Sequence, residues 1–155
     1  MPPQPQRLVA SMFAAVALFA ATRTAHAMVL RVHTLPACTM TGTAGDDILF
    51  GTNGPDVICG LGGNDVLDGL GGNDVVIGGP GNDTLNGGNG SDRLYGGAGN
   101  DRLQGDQGRD RVYGGDGRDT IWAWDGFSDY VNGGPGTDRA FKDKLDRVVS
   151  IERFS

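Results

Sequence analysis

From Gly42 to Trp122 the chain divides without a gap into nine blocks of nine: GTAGDDILF, GTNGPDVIC, GLGGNDVLD, GLGGNDVVI, GGPGNDTLN, GGNGSDRLY, GGAGNDRLQ, GDQGRDRVY and GGDGRDTIW. One extra residue, Ala123, precedes a degenerate block, WDGFSDYVN (Trp124–Asn132), and a regular one, GGPGTDRAF (Gly133–Phe141). The sixth position is Asp in all eleven blocks: Asp47, Asp56, Asp65, Asp74, Asp83, Asp92, Asp101, Asp110, Asp119, Asp129 and Asp138. The fourth is Gly except at Phe127, and the eighth is always aliphatic, from Leu49 to Ala140. A fixed period of this kind decides the fold.

Each column has a physical role. Glycines at positions one and four admit φ > 0, which a Cβ would penalise. The last three residues make a minimal strand with one side chain inward. One inward residue per strand buries no core alone, but stacked copies do, so the repeat predicts a solenoid. Two blocks make one coil of eighteen residues, and coils rise by roughly 4.8 Å. Alternate loops then fall in two columns. One holds Asp47, Asp65, Asp83, Asp101, Asp119 and Asp138; the other holds Asp56, Asp74, Asp92, Asp110 and Asp129. Carboxylates about 5 Å apart repel, and hard divalent cations such as Ca²⁺, which take six to eight oxygens, remove that repulsion. Binding and folding become one event.

The pattern resembles the RTX, or haemolysin-type, calcium-binding nonapeptide family, over Gly42–Phe141. The resemblance implies an all-β fold: a parallel β-roll, a right-handed β-solenoid with Ca²⁺ held between successive loops of one edge. It also implies that the eleven position-six Asp carboxylates are the side-chain ligands, aided by loop carbonyls. Nine regular loops in columns of five and four give about seven regular sites between neighbours. The departures are at position two, which is Thr or Leu in the first four blocks and Asp in the eighth and tenth. In the tenth, Trp124 and Phe127 replace glycines.

Residues 1–27 read as a signal peptide. Arg7 precedes a charge-free apolar run, Leu8 to Ala21, and Ala25-His26-Ala27 has the small-x-small form of a cleavage site. The run is short for a membrane span, which needs about 20 residues. The expected product is secreted, whereas the proteins it resembles leave through an uncleaved C-terminal signal. Without Arg7 and Arg23, eleven basic residues face nineteen acidic ones, eighteen of them Asp, with Glu152 alone. Short Asp suits tight ligating loops, and the negative charge argues against nucleic acid. Residues 28–41 read as an N-terminal cap, 42–141 as the repeat array and 142–155 as a C-terminal cap, with a last strand near Val148, Val149 and Ile151.

Cys38 and Cys59 are the only cysteines, an even count that suggests a disulfide in an exported chain; two free thiols are the alternative. An ideal stack would not bring them together, so the bridge needs the cap to fold back along the roll. Arg93 and Arg111, and Tyr95 and Tyr113, stand eighteen apart and should stack on one face. They read either as a glycan- or anion-binding strip or as ordinary cross-strand packing. Trp122, Trp124, Phe127 and Tyr130 read as aromatics sealing a bulge. No catalytic motif occurs, and residues 28–155 hold a single His. The expected function is a calcium-binding structural or interaction module, not an enzyme. Its partners are calcium ions and, in the alternative, a cell-surface glycan, an envelope component or another protein. The other alternative is the separated tail of a secreted protease or lipase, which a neighbouring gene for a lone catalytic domain would favour.

Overall fold

The computed structural model describes residues 37–154; the expected leader and residues 28–36 lie outside them. The described chain contains fourteen short strands and no helix. Odd-numbered strands, from β1 (Met40–Thr41) to β13 (Arg147–Val149), form one seven-stranded parallel sheet. Even-numbered strands, from β2 (Ile48–Phe50) to β14 (Arg153–Phe154), form the other. The chain crosses between sheets at every block, so each sheet gains a strand per eighteen residues. The register is regular: Leu49 pairs with Leu67, Leu67 with Leu85, Leu85 with Leu103 and Leu103 with Ile121. The chain is thus an all-β parallel β-solenoid.

The core is the inward row of position-eight residues from both sheets. Ile58, Leu67, Val76, Leu85, Leu94, Leu103, Val112, Ile121, Val131 and Ala140 are all fully buried in one cluster. Positions seven and nine flank them and face outward, as strand alternation requires. In the middle of the array the strands lengthen into the loops. β5 (Val75–Pro80), β6 (Thr84–Asn89), β7 (Arg93–Gly99), β8 (Arg102–Gln107) and β9 (Arg111–Gly117) have six or seven residues against three in β2.

The loop backbone corrects one expectation. Positive φ falls at positions two and four, not one and four. Gly88 and Gly90 have φ of 93° and 145°, whereas no position-one glycine is in that region. Leu61, Leu70 and Asp106 occupy position two at φ of 83°, 69° and 61°, a conformation that costs a non-glycine residue about 1–2 kcal/mol. Position one needs glycine for space. A Cβ on Gly87 would lie 2.6 Å from Asp92 Oδ2 and 2.8 Å from the Gly105 carbonyl oxygen of the next coil.

The ends depart from the repeat. Cys38 and Cys59 form a disulfide with Cα atoms 6.0 Å apart, although the register of β1 beside β3 (Val57–Cys59) sets Thr41, not Cys38, opposite Cys59. Closing such a loop contributes about 3 kcal/mol by chain entropy. Ala123 turns inward at the end of β10 (Thr120–Ala123) and is buried, so the register slips by one residue from there. The nearby aromatics do not seal a bulge. Trp122 stacks on Phe141 in one sheet, Tyr130 joins Tyr113 on the other, and Trp124 is 77 % exposed. Past β12 (Arg139–Lys142) the chain adds two strands, β13 and β14, with Ile151 packed against the core between them.

Candidate metal centre

The position-six aspartates line both loop edges and are buried. From Asp65 to Asp138 each is no more than 2 % exposed. Their two oxygens do different things. Oδ1 accepts the backbone N–H of the Asp one coil earlier: Asp47 donates to Asp65, Asp65 to Asp83, Asp83 to Asp101, each at 2.8 Å. The other column repeats this from Asp56 through Asp74 and Asp92 to Asp110. Oδ2 of Asp65, Asp74, Asp83, Asp92, Asp101, Asp110, Asp119, Asp129 and Asp138 has no hydrogen-bond partner. A buried, unpartnered carboxylate oxygen carries a heavy desolvation penalty and calls for a counter-charge.

Asp47 and Asp56 differ. Thr52 donates to Asp56 Oδ2 through its N–H at 2.7 Å and its hydroxyl at 2.9 Å, and Thr43 does the same for Asp47 at 2.5 and 2.9 Å. These threonines are the position-two departures of the first two blocks. The hydrogen bonds from Thr52 hold the Asp56 carboxyl below its usual range.

In the regular loops the electrostatics run the other way. Burial, and secondarily the like charges up and down the column, push Asp74 and Asp119 to about 6, Asp101 to about 7 and Asp110 to about 8. Asp129 rises to about 7, from burial and then from Asp125, Asp146 and Asp143. Asp83, Asp92 and Asp138 rise as well, burial again leading. The backbone N–H on Oδ1 opposes the shift without cancelling it.

The donor set is oxygen only: an unpartnered carboxylate oxygen with a position-one carbonyl of the next coil beside it, as at Asp74 and Gly87 around Gly69. Such a set fits a hard divalent cation, and Ca²⁺ above softer metals. A bound cation would supply the positive charge that these buried carboxylates lack.

Two features were missed in reading the repeat. Asp146 Oδ1 accepts from Asp129 N–H at 3.1 Å and Glu152 Oε2 from Asp138 N–H at 2.6 Å, so both columns run on past Phe141. Position five forms a ladder of its own: Asn64 Oδ1 takes both the N–H and the amide of Asn82, and Asn82 those of Asn100. Asn at position five of the third, fifth and seventh blocks, eighteen residues apart, was its signal. The expected surface residues are in place, with Arg93 paired to Arg111 and the Tyr95 and Tyr113 rings parallel at 5.1 Å.

The family model of the RTX calcium-binding nonapeptide repeat matches overlapping segments at 41–76, 68–103, 77–112, 95–128 and 104–140. No curated protein and no solved structure matches the chain significantly. The matched segments together span the coils whose loops carry the unpartnered carboxylates, well over half of the sequence, and the chain therefore belongs to the RTX calcium-binding nonapeptide repeat family.

Proposed function

We propose that the chain is a secreted structural or interaction module that folds around calcium and has no catalysis of its own. The row of nine buried, unpartnered Oδ2 atoms supports it most directly. The metal falls to those nine carboxylates, Asp65 to Asp138, while Thr43 and Thr52 stand in for it at Asp47 and Asp56. The nine divide into columns of five and four, and cations between neighbours number four and three, about seven in all. Calorimetric titration with Ca²⁺ is expected to give about that stoichiometry; a flat titration would sink the calcium reading. Export rests on the leader pattern alone, and N-terminal sequencing of chain recovered from the medium should begin at Met28.

A second reading, a calcium-dependent adhesin-like binder of glycan or envelope, is favoured by the aromatic ladder. Tyr95 stacks on Tyr113, Tyr113 meets Tyr130 at 5.7 Å, and exposed Arg93 and Arg111 flank them in register. Flat rings beside planar guanidinium groups suit sugar faces and acidic substituents. A glycan array probed in calcium and in chelator separates the readings: binding in calcium alone supports the adhesin, and silence in both rejects it.

A further inference from the structure

Asp125 stands at position two of the degenerate block, and around it the regular cradle changes. At each of the remaining position-one glycines a carbonyl oxygen of the following coil is among the three nearest atoms. Beside Gly105 the three nearest all belong to Asp110. The following coil begins there with Trp124, and the next residue, Asp125, brings a third carboxylate near Asp110 and Asp129. Asp110, Asp125 and Asp129 each offer an oxygen, all within 4.8 Å of one another. Nowhere else among the described residues do three metal-ligating side chains converge so closely.

Two of these side chains point to a missing ligand. Asp110 and Asp129 are each 2 % exposed. Their Oδ1 atoms are taken by the N–H groups of Asp92 and Asp110, both at 2.9 Å, and their Oδ2 atoms have no partner. Arg109, Arg111 and Arg147 line a cleft of about 400 Å³ with Asp110 and Asp129, while Asp125 lines a neighbouring one, yet none of the three arginines hydrogen-bonds to either orphaned oxygen. Asp125 is held from both sides, Oδ2 by Gly108 N–H and Oδ1 by Phe127 N–H, each at 2.8 Å. Each oxygen keeps a lone pair for a metal.

We propose that the register break builds a non-consensus cation site with Asp110, Asp125 and Asp129 as three carboxylate ligands, and that it binds Ca²⁺ more tightly than the regular cradles. Ligand charge is what tunes calcium affinity in oxygen sites, and this one adds a third carboxylate to the two of the column. The proposal rests on the reading that the array binds calcium. It goes beyond that reading in assigning a role to Asp125 and an order of filling.

The chain's two tryptophans, Trp122 and Trp124, both lie within three residues before Asp125, so they report on this end of the array and not on the array at large. The experiment is tryptophan-sensitised Tb³⁺ luminescence on the full chain, followed by displacement with Ca²⁺, with circular dichroism recorded in parallel. Tb³⁺ is a hard, oxygen-seeking ion that stands in for Ca²⁺. Sensitised emission should appear with the first equivalent and saturate before the dichroism transition is complete. Asp125→Asn, which keeps an oxygen for Gly108 N–H, should weaken Tb³⁺ at this site by at least about tenfold, the size that even ligand-supporting groups command. Asp106→Asn, at position two of a regular block, should leave the emission unchanged. Emission that survives Asp125→Asn at full affinity, or follows the dichroism instead of preceding it, overturns the proposal. Absent emission with an intact Ca²⁺ response in dichroism overturns this site and leaves the calcium array standing; loss of both overturns both.

Discussion

Removing calcium from the full chain is expected to abolish most of its β-sheet circular dichroism, and returning it to restore the signal, with Mg²⁺ ineffective at equal concentration. The inward row holds one aliphatic side chain per strand, and nine buried carboxylate oxygens lack a partner. At about 1 mM Ca²⁺ and a Kd of about 0.1 mM, each site contributes about 1.4 kcal/mol. Seven sites contribute about 10 kcal/mol, the size of a whole domain's stability. Mg²⁺ demands a tighter octahedron and gives up water reluctantly, so it fits these loops poorly.

Acid should separate the metal-free and metal-loaded chains by sign. Folded Asp110 sits at about 8, and Asp101 and Asp129 at about 7, against an ordinary 3.8. Stability from these groups in the metal-free roll is fully present below the ordinary value and is lost as pH rises through 7 to 8. In chelator, therefore, lowering the pH should restore sheet signal. In calcium, lowering it should remove the metal, because protons compete for the same oxygens. A full sheet signal in chelator at neutral pH, unchanged by Ca²⁺, would overturn the mechanism.

The second large effect concerns one column of glycines with two outcomes. Gly90→Ala should destabilise the calcium-loaded chain by at least about 3 kcal/mol. Its φ of 145° lies in a region open almost only to glycine, and its Cβ would collide with the Gly72 carbonyl oxygen one coil away. Gly54 occupies the same position four in the second block but lacks positive φ, and its nearest neighbour would be Thr52 Oγ1 at 3.8 Å. Gly54→Ala should be neutral or stabilising by about 0.5 kcal/mol, through the unfolded chain alone. Urea melts in calcium measure both. Equal losses at the two sites would show that the repeat position, and not local backbone geometry, sets the requirement.

The coil length, the parallel pairing and the inward row were legible because each follows from spacing alone: Leu49, Leu67, Leu85 and Leu103 are eighteen apart and pair as such. What lay hidden depends on backbone direction. Nothing in the letters shows that Asp65 Oδ1 meets Asp47 N–H while Oδ2 is left over. Nor do they show that position one needs glycine for room at Asp92 and position two for φ. Asp146 and Glu152 escaped because their separations from Asp129 and Asp138 shrink to 17 and 14, outside the period. The aromatics near Ala123 were misread because proximity in sequence, across a sheet-to-sheet crossing, places Trp122 and Tyr130 on opposite faces.

The carboxylate ladders give the roll a head and a tail. In every position-six rung the N–H belongs to the earlier coil and the accepting oxygen to the later one, from Asp47 to Asp65 through Asp119 to Asp138, while the position-five ladder runs the opposite way. At one end stand aspartates that donate forward and are themselves satisfied by threonine. At the other stand Asp146 and Glu152, which receive. The molecule is therefore a vector along its axis. Two copies meeting by like ends would set donor against donor or acceptor against acceptor. Only a head-to-tail arrangement continues the pattern, and such a contact does not close on itself.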